Sequence, residues 1–579
     1  MLGKTGGRIA TGLILALLLL LLCKAVLVST SPRWEPAPRR AVGEVGVERI
    51  PVQTPYFTGS VRLAGARLDD LRLLSYPEAL GSKRGAPIAR PGEAFLAFGW
   101  VSPSGAEVVS ADAPWRRVGG GDLSVGRPLH LTLRLPGLEI DRLIAVDEQA
   151  MFTVADTVRN VGASPLRLIP YGMVQQARPV GAVRAPLERA GAVGASKATS
   201  VRGDFARRKQ HGVEGFKGQG GWAGVSERYW LSAIVPMQDQ AVSVTYHHVA
   251  IAGDDLYQVR VAGAPMEIRP GAQAHWAANG FVGPQSVRLL QQYQRGVVAP
   301  HGAGLGVRGA GPIPRFDSAI DWGPFPFLAR PMLHLLDLFS GLGLSFGSAI
   351  VLLTLVVKVC VAPLSIAAYA SAARMKKLLP ELQTIRDRFD NDRAQRAYET
   401  MALYRAHRVR PLLGLLPILA QIPIFYSLYK VLAAAVGMRQ AEFLGWVPDL
   451  SQRDPTTLFN LFGFLPLDPA HAPLVGGLMG GVLHIGAWPV LYGLSVWLTN
   501  AMNPPAFDKA QRHLLVLVPL LLTIALAQMP VGLVIYWVVN NCVAILQQHL
   551  VLRHYGIQTP VSRILRRRGS VPVAVASGT

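Results

Sequence analysis

The chain has 579 residues, 50% of them hydrophobic and only 16% charged, with a formal net charge of +22. That balance over this length points to bilayer spans and excludes a disordered polar chain. Three cysteines, Cys23, Cys360 and Cys542, lie in or beside apolar runs without metal-ligand spacing, which argues against both a disulfide framework and a zinc site. The basic excess makes anionic lipid, nucleic acid and the ribosome candidate partners, beside the plainer role of setting topology.

The N-terminus carries Lys4 and Arg8 ahead of an apolar run over residues 13–28, interrupted by Lys24. Two readings fit. One is a secretory signal, with Ser29, Thr30 and Ser31 supplying small residues for cleavage; the other is an uncleaved first span with its N-terminus in the cytoplasm. Leu22 stands where a lipoprotein needs a small residue before Cys23, which argues against a lipid anchor. The uncleaved anchor, residues 1–32, is the preferred reading, with Lys24 snorkelling to the far interface.

Residues 33–319 differ in character. Gly and Pro are frequent, and short alternating runs replace long apolar ones: Leu129, Leu131, Leu133 and Leu135 alternate with polar residues, as do Val242, Val244 and Tyr246, and Tyr257, Val259 and Val261. Period-two patterning between turn residues predicts half-buried antiparallel strands in a β-sandwich. The preceding span places this domain outside the cytoplasm, and its basic residues do not oppose that, because long domains translocate largely regardless of charge. Residues 191–221, rich in Gly, Lys and Arg, read as a mobile loop.

Over residues 320–345, Met332, Leu335, Leu336 and Phe339 share one helical face just after Trp322, Phe325 and Phe327. This predicts an amphipathic helix lying in the membrane interface, with a plain linker helix as the other reading. Five apolar segments follow, at 346–368, 412–436, 482–498, 514–528 and 531–552, and Pro417, Pro423, Pro489 and Pro519 within them suit bilayer helices. With the first anchor they make six spans.

Charge tests that topology. The 370–410 connection holds ten Lys and Arg against five acids, whereas the 437–475 connection has only Arg439 and Arg453 and is acidic on balance. Lys509 and Arg512 occupy the next short loop, and Arg553, Arg563, Arg566, Arg567 and Arg568 the C-terminal tail, 553–579. The basic connections alternate with the acidic one, so the N- and C-termini are expected in the cytoplasm and the β domain outside.

Lys358 interrupts the apolar run of the 346–368 segment. A charge at the centre of a span costs about 2.5–3.5 kcal/mol on insertion scales, which its apolar neighbours offset. Either Lys358 faces a polar cavity, or it snorkels to the cytoplasmic interface near Pro363. Thr354 lies one turn before it, Gln421 falls in the next span, and Asn540 and Asn541 in the last. Each alone reads as helix–helix glue; together they are able to line one hydrated cavity among the spans. No span contains an acidic partner for Lys358, so it would attract acidic or polar segments of another chain.

The 369–410 connection is patterned as two antiparallel helices projecting into the cytoplasm. Met375, Leu378, Leu379, Leu382 and Ile385 follow helical spacing, as do Ala394, Ala397, Tyr398, Met401 and Tyr404, with Asp390, Asn391 and Asp392 as the turn between them. Its basic faces suit partner docking or simple solvation. No phosphate-binding loop, nucleophile elbow or zinc-protease signature occurs, so no enzymatic activity and no cofactor are expected.

The chain resembles the YidC-type insertases of Gram-negative bacteria over most of its length. The matching stretches are Thr58-Gly59-Ser60-Val61-Arg62-Leu63-Ala64-Gly65-Ala66-Arg67-Leu68-Asp69-Asp70-Leu71, Tyr229-Trp230-Leu231-Ser232-Ala233, Pro363-Leu364, Met401-Ala402-Leu403-Tyr404, Pro411-Leu412, Gln421-Ile422-Pro423-Ile424-Phe425 and Pro530-Val531-Gly532-Leu533-Val534-Ile535-Tyr536-Trp537. The resemblance implies a polytopic helical membrane protein with a large periplasmic β-supersandwich domain. It further implies a five-helix core, residues 346–552, whose groove opens to cytoplasm and lipid. Such proteins insert and help fold inner-membrane proteins, alone or with the Sec translocon, and the resemblance implies nascent membrane proteins, the bilayer, and the ribosome or a targeting receptor as partners.

In the family the groove carries a positive residue on the second span, usually arginine; Lys358 occupies that place and lacks the planar multi-donor fork. Phe425, Tyr536 and Trp537 match positions along the client-contacting path. The expected client groove therefore comprises Lys358, Thr354, Gln421, Phe425, Tyr536, Trp537 and Asn540. The rival readings are a small-solute channel or transporter, and a membrane-tethered carbohydrate enzyme, since the implied outer fold also occurs in sugar-binding proteins.

Overall fold

The computed structural model describes residues 48–109, 112–179, 191–204, 214–251, 254–297, 311–409, 416–465, 479–481, 483–502 and 509–562. The expected N-terminal anchor and residues 563–579 of the basic tail lie outside the described residues. The chain divides into two compact units, one built around Arg33–Asp321 and the other around Trp322–Ala433 and Gly437–Thr579.

In the first unit the described strands form a ten-stranded and a nine-stranded sheet, with antiparallel pairing throughout both. The inner faces meet through rings: Phe57 of one sheet lies 5.5 Å from Phe152 of the other, and Trp100 lies 6.0 Å from Trp276. The alternation seen in sequence is the burial pattern observed. In the strand Leu129–Leu135 the leucines at 129, 131 and 133 are buried and the intervening residues are not. The strand Asp254–Ala262 alternates over its whole length. Burying one face of each sheet is what holds a sandwich together.

Two polar clusters also sit in this core. Arg142 and Asp156 face each other on paired strands, and both side chains are fully buried. The guanidinium donates two 2.7 Å hydrogen bonds to the carboxylate, Trp100 Nε1 donates a third at 2.8 Å, and Arg142 stacks 4.4 Å from the Trp115 ring. The helix α1, Val287–Arg295, brings Tyr293 under the second sheet, where its hydroxyl donates to Asp147 Oδ2 at 2.6 Å. Burial and the Asp147 charge hold that phenol well above its ordinary range.

The expectation of a mobile loop over 191–221 is overturned at 191–204 and 214–221, while residues 205–213 lie outside the described residues. Gly191–Ala195, Ser200–Asp204 and Glu214–Gln219 are strands, and all five residues of the first are buried. Low side-chain bulk there reflects close packing, because a Cβ on Gly194 would come within 2.7 Å of Tyr246 Oη and 3.0 Å of the Trp222 carbonyl. Glycine in a strand marks close approach as readily as flexibility.

The second unit is helical. Helix α2 spans Pro326–Gly341, with Ala329, Met332, Leu333 and Leu336 on its buried face. Ser345 caps helix α3, Phe346–Lys377, which runs 32 residues. At 1.5 Å per residue it reaches about 48 Å, more than the ~30 Å hydrocarbon core, so it continues past the expected segment end at 368. Helix α4, Leu379–Arg388, and helix α5, Arg393–Ala406, form the expected hairpin, with Asp392 Oδ1 accepting from the Ala394 and Gln395 N–H groups as N-cap. Leu378, Leu382 and Val409 fill its core with Met375, Leu403 and Tyr404. The first hairpin helix begins later than its spacing suggested: Met375 still belongs to α3, and the chain resets at Leu378 before Pro380.

Helices α6 (Leu416–Ala434), α7 (Ala487–Met502), α8 (Lys509–Ala527) and α9 (Val531–His554) follow. Helix α9 packs on α3 and α7. Among the described residues α3 and α9 are long and apolar enough to cross a membrane, and Leu419–Ala434 is a shorter apolar helix. Helix α7 starts at Ala487, not 482, because Asp454 and Thr456 accept hydrogen bonds from the Trp488 and Ala487 N–H groups at 2.8 and 2.9 Å.

Candidate functional site

The apolar residues of α3 let it stand as one long helix that packs on α9, and Leu355 and Val359 lie on its open side, Val359 72% exposed. Lys358 is half-buried between these faces. Among the described residues it forms no hydrogen bond and no ion pair. Thr354, one turn earlier, is buried and donates its hydroxyl to the Ile350 carbonyl at 2.7 Å, so its proton is spent on its own helix.

Helices α6 and α9 bring four of the expected residues together although they lie more than a hundred positions apart. Gln421 Nε2 donates to Tyr536 Oη at 2.8 Å. The Phe425 and Trp537 rings lie 4.9 Å apart at 46°, and Tyr492 of α7 meets Trp537 edge-on at 5.9 Å. Tyr536 is buried, while Phe425 and Trp537 are partly open. Asn540 sits one turn further along α9, buried, with its amide 3.4 Å from Asn541 Oδ1; Asn541 in turn donates to Ser495 Oγ of α7 at 2.9 Å. Direct polar and ring contacts thus join Gln421, Phe425, Tyr536 and Trp537. Lys358 and Thr354 lie on neighbouring α3 with no such contact to them, and Asn540 is linked toward α7 only through Asn541.

Two features escaped sequence reading. Lys430 on α6 is a second buried cation in an apolar helix, 5.9 Å from the Tyr426 ring, and the same interruption that drew attention to Lys358 was there to be read. Asp454 is buried in the 437–465 connection, where its carboxylate accepts from the Thr456 hydroxyl at 2.7 Å as well as from α7. No sequence signal marked its tie to α7, since the Trp488 N–H that it accepts from lies thirty-four residues away. Among the described residues no group of three or more His, Cys, Asp or Glu is placed to hold a metal ion.

The family model described as 60Kd inner membrane protein matches residues 338–558, and that of the YidC periplasmic domain matches residues 49–335. A membrane protein insertase YidC of Caulobacter vibrioides (strain NA1000 / CB15N) is 39% identical over 558 residues, covering 93% of this chain and 90% of the relative. Another, from Maricaulis maris (strain MCS10), is 35% identical over 530 residues, covering 90% and 86%. Among solved structures, an active YidC insertase with its first transmembrane domain resolved aligns with 86% of this chain and 94% of its own at 15% identity and a TM-score of 0.35. A galactose mutarotase related enzyme from Lactobacillus acidophilus aligns with 41% of this chain and 97% of its own at 6% identity and a TM-score of 0.29. With both halves matched in order and identity sustained over nearly the whole length, the chain belongs to the YidC family of membrane protein insertases.

Proposed function

We propose that this inner-membrane chain inserts and helps fold other membrane proteins through a hydrated groove bordered by α3, α6 and α9, alone or beside the Sec translocon. The observation that carries the reading is a lysine within the apolar helix α3, half-buried and free of any ion pair among the described residues, on a helix packed against α9, which carries the aromatic and amide seam. In the proposed topology six spans place both termini in the cytoplasm and the β-sandwich in the periplasm, with the core over 346–552 and the hairpin over 369–410 inside. Residues 320–345 lie in the interface. The hairpin and the basic tail 553–579 face the ribosome or a targeting receptor, to which their charge is suited.

A client's short hydrophilic segment enters the groove, where the ammonium of Lys358 attracts acidic side chains in a medium of lowered dielectric. Its apolar span moves along Phe425 and Trp537, whose partly open rings offer apolar surface without binding tightly. Some twenty apolar residues at about −0.3 to −0.6 kcal/mol each then partition into lipid, and that partitioning drives insertion without a cofactor. Tyr536 and Gln421 hold α6 against α9 so the path keeps its shape; Thr354 and Asn540 keep polar atoms at membrane depth on either side.

The test is insertion of a client with an acidic translocated tail in cells depleted of the native protein and complemented with Lys358→Ala or Lys358→Arg. The alanine variant is expected to impair insertion and the arginine variant to support it. Equal insertion with alanine would sink the role given to the charge.

A further inference from the structure

The connection between α6 and α7 carries an apolar surface that the groove does not use. From Thr456 to Leu465 it contains no charged residue, and Leu461 and Phe464 stand 54% and 88% exposed, with Leu458 and Leu465 beside them. Leu461 and Phe462 both adopt left-handed backbone angles, at φ 50° and 59°, which side-chain-bearing residues take only under constraint. In water this would be an unfavourable combination: a strained turn spent on presenting leucine and phenylalanine to solvent.

The backbone of the same turn is prepared for a dry environment. Leu458 N–H donates to the Ile485 carbonyl at 2.8 Å, Phe462 N–H to Thr457 at 2.8 Å and Leu465 N–H to Asn460 at 3.1 Å. Phe459 N–H finds Thr457 Oγ1 at 3.4 Å, and Gly463 N–H finds Asn460 Oδ1 at 2.9 Å. Among the described residues the acid nearest the turn in sequence, Asp454, is buried as the cap of α7. Most N–H groups of the turn are thus satisfied internally, which lowers the cost of moving it out of bulk water while its apolar side chains point outward.

Position supplies the rest. The connection lies at the end of the helical unit where α3, α7 and α9 begin. Phe443 closes on Gly347, Leu450 accepts from Gly532 N–H at 3.0 Å, and Gln452 accepts from Val531 N–H at 2.7 Å. Trp446 stacks 6.0 Å from Trp488 at the start of α7, as aromatics do at a membrane interface. Along α7 the exposed Leu491, Leu494 and Trp497 carry the apolar surface on into the span. The basic end of the unit, with Arg374, Lys376 and Lys377, is the opposite end of α3.

We infer that the Leu458–Leu465 turn is a hydrophobic wedge seated at the boundary of headgroups and acyl chains in the extracytoplasmic leaflet, its backbone at headgroup level and the Leu461 and Phe464 side chains leading toward the acyl chains. Its occupant is lipid, because its apolar surface continues the lipid-facing stripe of α7. The wedge fixes the depth of the helix ends and crowds the leaflet through which a client's span must pass. The inference rests on α7 being a span, as proposed above.

The experiment uses the full chain with Cys23, Cys360 and Cys542 replaced by serine, reconstituted in phosphatidylethanolamine–phosphatidylglycerol vesicles. A single cysteine, Phe464→Cys or Leu494→Cys, carries an environment-sensitive fluorophore. Quenchers are lipids bearing a nitroxide on the acyl chain, or iodide in the water. Acyl-chain quenching of both labels, with little loss to iodide, supports the wedge. Quenching of the label at 494 by lipid but of that at 464 by iodide overturns the wedge and leaves the span intact. Protection at 464 from both quenchers overturns it too, since a protein surface then covers the turn. Absence of lipid quenching at 494 shows that the span reading itself has failed. Leu461→Cys repeats the test if the label at 464 prevents folding.

Discussion

Replacing Asp156 with alanine would leave Arg142 charged in the middle of the β-sandwich. In the native domain both side chains are fully buried, two 2.7 Å hydrogen bonds join them, and Trp100 Nε1 adds a third at 2.8 Å. Removing one partner of a buried pair costs about 3–5 kcal/mol, because the survivor's desolvation is no longer offset. The cost falls on the paired strands Leu138–Val146 and Met151–Asn160. Since each ~1.4 kcal/mol is tenfold in an equilibrium, amide hydrogen exchange in those strands should quicken by roughly two to three and a half orders of magnitude. Hydrogen exchange read by mass spectrometry on the intact, detergent-solubilised protein measures this directly. The paired substitution Arg142→Met with Asp156→Leu should restore most of the lost protection, because an apolar pair of similar volume carries no desolvation debt. Unchanged exchange in Asp156→Ala would refute the reasoning, as it would mean that the guanidinium reaches water or another acceptor without opening the sheet.

Three further outcomes are expected. Asp454→Ala removes the acceptor of the Trp488 N–H, so the first turn of α7 should lose about 0.5–2 kcal/mol and exchange faster, while α3 amides stay unchanged; equal exchange in α7 counts against the capping role. Tyr536→Phe keeps the ring against Trp537 but deletes the bond from Gln421, which should cost about 0.6–2 kcal/mol and lower the thermal midpoint in detergent; an unchanged midpoint means that Gln421 finds another partner. Burial and the Arg260 charge hold the His247 imidazole below its ordinary value of 6.5. The unfolded chain therefore binds that proton first, so this contribution to stability is present above ~6.5 and lost as pH falls from there toward the folded value. His247→Gln should flatten the decline of the unfolding midpoint between pH 7 and 5, and a slope equal to the native one would assign the decline to other groups.

The helical elements of the second unit and the strands of the first were readable because their signals are local. Apolar length marks α3 and α9, and strict alternation marks Leu129–Leu135 and Asp254–Ala262. The hairpin was readable from helical spacing and from Asp392, a residue type that caps helices wherever it occurs in that position. Where composition was ambiguous the reading failed. The Gly-rich chain around Gly194 looked mobile because glycine permits freedom, and only the Tyr246 hydroxyl and the Trp222 carbonyl packed against it show that glycine is used there for closeness.

The sequence by itself determined that long apolar helices and an alternating β region share one chain, and that Lys358 lies within one of those helices, since each follows from neighbours within a few residues. Tertiary structure alone decided which residues meet. Gln421 reaches Tyr536 and Phe425 reaches Trp537 only once α6 lies along α9; Thr354 turns its proton back to Ile350, and Asp454 sets the start of α7 from more than thirty residues away. The physical reason is range. Propensity and hydropathy act along a few turns of chain, whereas a hydrogen bond or a ring contact is indifferent to separation in sequence and is settled by how the elements pack.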